Sequence, residues 1–225
     1  ALTALERCPA IDAITLVGPP ATASLAQSAR VTWVADTGTM LGNLMAGLTT
    51  LVDREWVLIV GCDSPLITSE ICENLLAECA QAEADIYYPI VPRDVLEKKY
   101  PGGKRTWVTL REGTYTGGNL FLVRPSAILN NRQLFERVLA ARKNPLALAG
   151  IFGLPFIAKL LLKHLAIGEL DQRAATLLKV QVRAVVVPHP EIGIDLDKAA
   201  DHAQLTAILQ KKQEKKTGFF ASLPA

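Results

Sequence analysis

A strand that ends in an acid constrains this chain more than anything else in it. Val57-Leu58-Ile59-Val60 is followed by Gly61-Cys62-Asp63-Ser64-Pro65. Four consecutive apolar residues suit a strand covered on both faces, as in a parallel sheet under helices. Gly61 lets the backbone leave the sheet, and Pro65 stops the ladder because it has no N–H to donate. Asp63 therefore falls at the strand's carboxyl end, where open α/β sheets bind their ligands. A carboxylate there is well placed to hold a divalent cation, and the cation to hold phosphates.

The rest of the chain can support such a sheet. Its 225 residues are 50% apolar and 20% charged, enough for one large domain or one domain with an insertion. The net charge of +2 gives no bulk attraction to nucleic acid, and the three Trp and four Tyr are scattered rather than grouped as a stacking platform. Cys8, Cys62, Cys72 and Cys79 form no CxxC pair. They read as reduced thiols acting as small hydrophobes in a cytoplasmic protein. The start lacks the basic-then-apolar pattern of a signal peptide and enters directly on a helix over 2–8. We expect a segment that precedes it.

Strands are predicted at 12–18, 31–35, 56–60 and 85–90, and helices at 40–52 and 68–82. Leu41, Leu44, Met45, Leu48 and Leu51 give the first helix its spacing, and Thr68 is an N-cap for the second. Apolar strands alternating with helices predict an α/β fold, with a mostly parallel sheet between two helical layers. Two more strands, at 107–111 and 119–123, flank a turn at Glu112-Gly113, and a last strand at 180–187 precedes a helix at 197–210. Residues 131–178 read as a helical insertion. Within it 145–158 carry no charge, but 14 residues fall short of the ~20 that span a bilayer, and Gly150, Gly153 and Pro155 interrupt them. The organisation is thus a core over 1–130, an insertion over 131–178, the closing strand and helix of the core over 179–210, and a solvated tail over 211–225. The insertion is expected to pack beside the site, without stable membrane insertion. Any apolar surface it leaves open would suit an apolar ligand or a partner.

Three further elements carry chemistry. Gly193-Ile-Asp195-Leu-Asp197 follows the last strand, and in extended backbone Asp195 and Asp197 share a face. Either could instead cap the final helix, and Asp201 suits its first turn. Gly117-Gly118-Asn119 precedes a strand, where two glycines permit close approach of a ligand to the backbone. Gly42-Asn43-Leu44 opens the 40–52 helix, and helix starts expose N–H groups that suit anions or base edges.

In this order, a Gly-Asn-Leu helix, a strand ending in Cys-Asp-Ser-Pro, a Thr-Gly-Gly-Asn strand and a late Asp-Leu-Asp resemble the MobA-like nucleotidyltransferases, which include molybdenum-cofactor guanylyltransferase. The resemblance implies a three-layer αβα Rossmann-like (GT-A-like) fold and transfer of a nucleoside monophosphate from a nucleoside triphosphate to a phosphorylated small molecule. It implies Mg2+ held by Asp63 and Asp197, with Asp195 as a competing ligand. It also implies nucleotide contacts at Gly42, Asn43 and Cys62, and an acceptor wall at Gly117, Gly118 and Asn119. Lys104 and Arg105 flank the acceptor strands and could steer an anionic acceptor, or belong to a solvated loop. The chain departs from the family in two places. Lys198-Ala199-Ala200-Asp201 stands where relatives start a helix with Thr-Pro-Glu-Asp, and the family's opening strand with its glycine-rich phosphate loop is not in the sequence. A GT-A glycosyltransferase and a non-catalytic nucleotide-binding protein remain alternatives. A nucleic-acid partner is not expected, and a homodimer stays open.

Overall fold

Alternate residues of the Val57–Val60 strand face opposite ways, and the architecture follows from what each side meets. The computed structural model describes residues 1–103, 105–141 and 145–195. Leu58 and Val60 of this strand, β3, pack with Leu66, Ile71, Cys72 and Leu75 on one side. Val57 and Ile59 pack with Met45, Leu48 and Ile128 on the other. Helices therefore cover both faces, giving three layers. On the first side lie α1 (Leu2–Glu6), α3 (Ser69–Cys79) and α4 (Arg93–Lys99); on the second lie α2 (Met40–Thr49), α5 (Pro125–Leu129) and α9 (Ile167–Leu178). The threonines before α2 and α3 cap them as their residue type favours: Thr39 Oγ1 accepts from Gly42 N, and Thr68 Oγ1 from Ile71 N.

The sheet is in two parts. β1 (Ile14–Gly18) and β2 (Val31–Ala35) form a parallel pair, Ile14 opposite Val31. The larger part holds β3, β4 (Ile86–Pro92), β5 (Val108–Leu110), β6 (Gly113–Gly117), β7 (Leu120–Val123) and β8 (Val182–Val186). β4 is its centre. One edge of β4 pairs in parallel with β8. Antiparallel partners take the rest: β7 pairs with Ile86 and Tyr87, β6 with Ile90 to Pro92. β7 also pairs antiparallel with β3, and β5 with β6. So β3, β4 and β8 run the same way, but β7 is threaded against them between β3 and β4, and β6 against β4. The described sheet is therefore mixed, with more antiparallel than parallel pairings, where a mostly parallel one was expected. The β6 strand was not expected. Its Gly-Thr-Tyr-Thr-Gly sequence follows directly on the expected Glu112-Gly113 turn, and pairing with β4 and β5 makes it a strand.

Burial grades across this sheet. Val91 and Leu120 are fully buried, whereas all four residues of β3 are only half-buried. Each fully buried leucine contributes about 1.5–3 kcal/mol relative to exposure.

Beyond α5 the chain is helical: α6 (Arg132–Ala141), α7 (Pro145–Phe152), α8 (Leu154–Leu161) and α9. Gly153 separates α7 from α8 with φ +95, a conformation glycine adopts without strain. Asp171 docks α9 on the sheet, accepting from the Tyr88 hydroxyl and the Ala184 amide at 2.9 Å each. Burial raises the Asp171 carboxyl above its ordinary range. Among the described residues no helix is long and apolar enough to cross a membrane. The 197–210 helix, the 211–225 tail, Asp197 and Lys104 lie outside the described residues.

Candidate active site

The β6–β7 strand breaks at Gly118 and Asn119, and three segments meet at that break. Gly118 N donates to Pro89 O at 2.9 Å. Gly61 N, one residue past β3, donates to Asn119 O, and Asn119 N donates to Ile192 O, both at 2.9 Å. Two backbone bonds through one residue thus join the Asp63 turn to the Pro190–Gly193 3-10 turn that leads to Asp195. Of the predicted site residues, Asp63, Asn119 and Asp195 fall on these joined segments.

Within the 61–65 turn, sterics position the acid. A Cβ at Gly61 would lie 2.6 Å from Asp63 Oδ1, so the carboxylate folds back over the glycine. Ser64 N closes the turn onto Gly61 O at 3.3 Å. The Ser64 side chain is fully buried, and its hydroxyl has no hydrogen-bond partner among the described residues. Cys62 is exposed, unlike Cys8, Cys72 and Cys79, which are buried as small hydrophobes. Burial pushes the Cys72 and Cys79 thiols up to about 12. All four cysteines are free.

The 190–195 segment is braced by side chains from far along the chain. Lys99 Nζ donates to Glu191 Oε1 at 2.6 Å and the Tyr100 hydroxyl donates to the same oxygen at 2.9 Å. Burial opposes ionisation of Glu191, but these donors outweigh it and hold its carboxyl below the ordinary range. Burial and the Glu191 acceptor push the Tyr100 phenol up. Arg105 Nη1 donates to Gly193 O and, at 2.9 Å, to Asp195 Oδ1. Its side chain is only 11% exposed and its Nε has no partner among the described residues. This differs from the expected role of Arg105 as an acceptor-steering cation. Its guanidinium is committed to the backbone and carboxylate of the second acidic segment, and so it positions Asp195. Nothing local announces this pairing, because 90 positions separate the two residues. The Glu191 brace was unread for the same reason.

The two glycines of the break differ. A Cβ at Gly118 would meet Ile192 Cγ2 at 2.5 Å and Pro89 O at 3.2 Å, so its smallness serves packing. Around a Cβ at Gly117 nothing among the described residues would lie within 4 Å, which leaves that face open to a ligand. At the other predicted contact, Asn43 Oδ1 accepts from Thr37 N and Thr37 Oγ1 at 2.8 Å each, and Asp36 Oδ1 accepts from Gly38 N at 2.8 Å. Gly38 N–H foremost, then Asn43, lowers the Asp36 carboxyl below its ordinary range. Gly42 is fixed by the same loop, since a Cβ there would meet Thr37 Oγ1 at 2.2 Å. Asn43 and Gly42 thus shape the loop between β2 and α2, and their amide groups face inward to it. Among the described residues no cluster of three or more His, Cys, Asp or Glu could enclose a metal.

Comparison with known proteins agrees with this architecture. The model of the MobA-like NTP transferase domain family matches residues 1–179. A structure described as a hypothetical transferase from Thermus thermophilus is 39% identical, covers 77% of this chain and 73% of its own, and superposes with a TM-score of 0.69. The 4-diphosphocytidyl-2C-methyl-D-erythritol synthase of Anaerococcus prevotii shares the fold at 14% identity, over 93% of this chain and 83% of its own, with a TM-score of 0.57. A CMP:2-keto-3-deoxy-manno-octonic acid synthetase complexed with CTP does so at 11% identity, over 93% and 86%, with a TM-score of 0.60. The comparison with curated proteins gives no match. The turn after β3, the break at Asn119 and the match over most of the length lead to one conclusion: this chain belongs to the MobA-like NTP transferase domain family and is a nucleotidyltransferase.

Proposed function

We propose that the protein moves a nucleoside monophosphate from a nucleoside triphosphate to a phosphorylated small-molecule acceptor in the cytoplasm. A phosphate oxygen of the acceptor attacks the α-phosphorus. The bond from that phosphorus to the α–β bridging oxygen breaks, and pyrophosphate leaves with the bonding pair. Such a transfer needs positioning and charge neutralisation more than covalent help. The observation that carries the reading is the backbone join Gly61–Asn119–Ile192, which sets the Asp63 turn beside the open face at Gly117 and the segment bearing Asp195.

Asp63 is the residue that would hold Mg2+, with Asp197 or Asp195 as second carboxylate. The donor set fits: Mg2+ takes one or two carboxylates and fills its remaining positions with water and phosphate oxygens, so it needs no protein cage. Bound there, the ion would neutralise charge on the transferring phosphate. Asp195 could join only by sharing its carboxylate with Arg105, which favours Asp197. Gly117 gives the acceptor room, Lys104 supplies the cation that Arg105 does not, and the Asp36–Asn43 loop with Cys62 lines the nucleotide side.

The test is pyrophosphate release from each nucleoside triphosphate with pools of phosphorylated acceptors, in Mg2+ and in chelator. Release that needs both metal and acceptor is the expected result. Nucleoside diphosphate release from a sugar nucleotide, or nucleotide binding with no turnover, would overturn the proposal.

A further inference from the structure

One aromatic ring stays open in the middle of the sheet. β7 has a strand on either side, β3 and β4, and its Leu120, Leu122 and Val123 are buried, yet Phe121 is 39% exposed. Phe121 pairs with Ile59, so it points to the side of the sheet that carries α2, α5 and α9. Elsewhere on that side helices cover the strands. Ile59, Val123 and Ile86 pack under α2, α5 and α9, and Ile90 and Tyr115 pack under Phe156 and Leu160 of α8. Phe121 lies beside Ile59 of the first set, and Gly117, also exposed, pairs with Ile90 of the second. Together they form an uncovered floor at the level of the sheet, with helices rising on two sides. A single exposed apolar residue on an outer surface needs no explanation, but a large ring left open on an interior strand marks a recess for a ligand.

The recess adjoins the Asp63 turn. Asn119 and Phe121 are two positions apart in extended backbone and face one way. A Cβ at Gly61 would meet Asp63 Oδ1 at 2.6 Å and Asn119 Cβ at 3.6 Å, which puts the carboxylate on the same side of the sheet as the Phe121 ring. The Asp36–Asn43 loop, on the nucleotide side, follows β2, which belongs to the other part of the sheet. A reaction that joins two substrates at Asp63 leaves the Phe121 side to the acceptor. The lining says what kind of acceptor. Ile59 and Ile90, the neighbours of Phe121 and Gly117 in the sheet, are apolar, and Tyr88 of β4 has its hydroxyl committed to Asp171. A sugar needs a partner for each hydroxyl it buries, whereas a hydrocarbon needs none. A second copy does not fit, because a flat protein surface cannot reach a floor set below helices.

We propose that Phe121 and the space over Gly117 seat the body of the acceptor, and that this body is a hydrocarbon: the acceptor is the phosphate monoester of an apolar alcohol, with its phosphate toward the Asp63 turn. This rests on the transfer reading given above and adds the acceptor's chemical class to it. Phe121 then sets specificity and takes no part in the phosphorus chemistry.

The experiment is calorimetric titration of the full chain, in Mg2+, with octyl phosphate and with glycerol 3-phosphate, which carry the same headgroup on an apolar and a polar body. We expect octyl phosphate to bind more tightly by about tenfold or more, with a negative heat-capacity change. Phe121→Ser should weaken octyl phosphate by about tenfold and leave glycerol 3-phosphate unchanged. Gly117→Val fills the space without touching the ring. It should keep the melting temperature and weaken octyl phosphate by a similar factor, so the test survives a Phe121 variant that does not fold. Equal affinity for the two phosphates, no binding of octyl phosphate, or octyl phosphate binding that survives both variants would overturn the proposal. Loss of nucleoside triphosphate affinity in Phe121→Ser, with octyl phosphate unchanged, would overturn it in favour of a nucleotide base on the ring. Pyrophosphate release is read separately: its absence with every acceptor removes the transfer reading, whereas the affinities for the two phosphates decide the seat.

Discussion

The two acid-bearing segments at the candidate site are held by opposite means. The 61–65 turn relies on backbone and shape: Gly61 N to Asn119 O, Ser64 N to Gly61 O, and a glycine without a Cβ beneath the Asp63 carboxylate. The 190–195 segment relies on charged side chains, with Lys99 and Tyr100 on Glu191 and Arg105 on Asp195. The difference separates chemistry from scaffold. The first segment brings its acid over a glycine by close backbone approach, whereas the second fixes its acid to a guanidinium that supplies the counter-charge.

Substituting Asp63 probes the contrast most sharply. Asp63→Asn should lower the turnover rate by about 10²–10³ while shifting stability by less than ~1 kcal/mol. Steady-state pyrophosphate release and a denaturant melt read both, and a variant with wild-type turnover would remove Asp63 from the mechanism. Arg105→Ala should behave the other way. It strips a charge-assisted donor from Asp195 and Gly193 O, and the melt should show a loss of about 1.5–3 kcal/mol. Arg105→Lys should recover only part of this, because an ammonium cannot fork between the two acceptors. The glycines of the break divide along the same line. Gly118→Ala forces Ile192 and the Pro89 carbonyl to move and should cost about 1–3 kcal/mol, while Gly117→Ala should leave stability unchanged. Any loss at Gly117 should appear in the Michaelis constant for the acceptor.

The smallest effect lies in pH. The folded-state carboxyl of Glu191 is lowered, so its contribution to stability is fully present above the ordinary carboxylate range and is lost as pH falls through the lowered value. Glu191→Gln should therefore narrow the stability gap between pH 7 and pH 3 relative to wild type. Equal acid sensitivity in the two proteins would show that the brace contributes nothing.

Much of this arrangement was legible from local pattern. The Val57–Val60 strand, its exit through Gly61, the Thr68 cap and the Val182–Val186 strand each carry their signal within a few residues. Other features have no local signature. The side-chain period of a strand is 2 whichever way its neighbour runs, so nothing in Leu120–Val123 announces that it lies antiparallel between β3 and β4. Gly113–Gly117 runs from the Glu112-Gly113 turn to the Gly117-Gly118 pair, so no strand was expected in it. Gly118 looked open to a ligand because a close approach to Ile192 and Pro89 cannot be seen along the chain. Arg105 looked like a free cation because its partners lie 88 and 90 positions away.

The threading of β7 also sets an order of events during synthesis. β3 and the Asp63 turn emerge early, yet the strand that pairs β3 is made only at Leu120–Val123, and the carbonyl that anchors Asn119 only at Ile192. At ordinary elongation rates that wait is on the order of ten seconds, during which the apolar Val57–Val60 edge has no partner from its own sheet. The site is thus among the last parts of the molecule to be completed, and nascent chains halted before Leu120 should engage chaperones through β3.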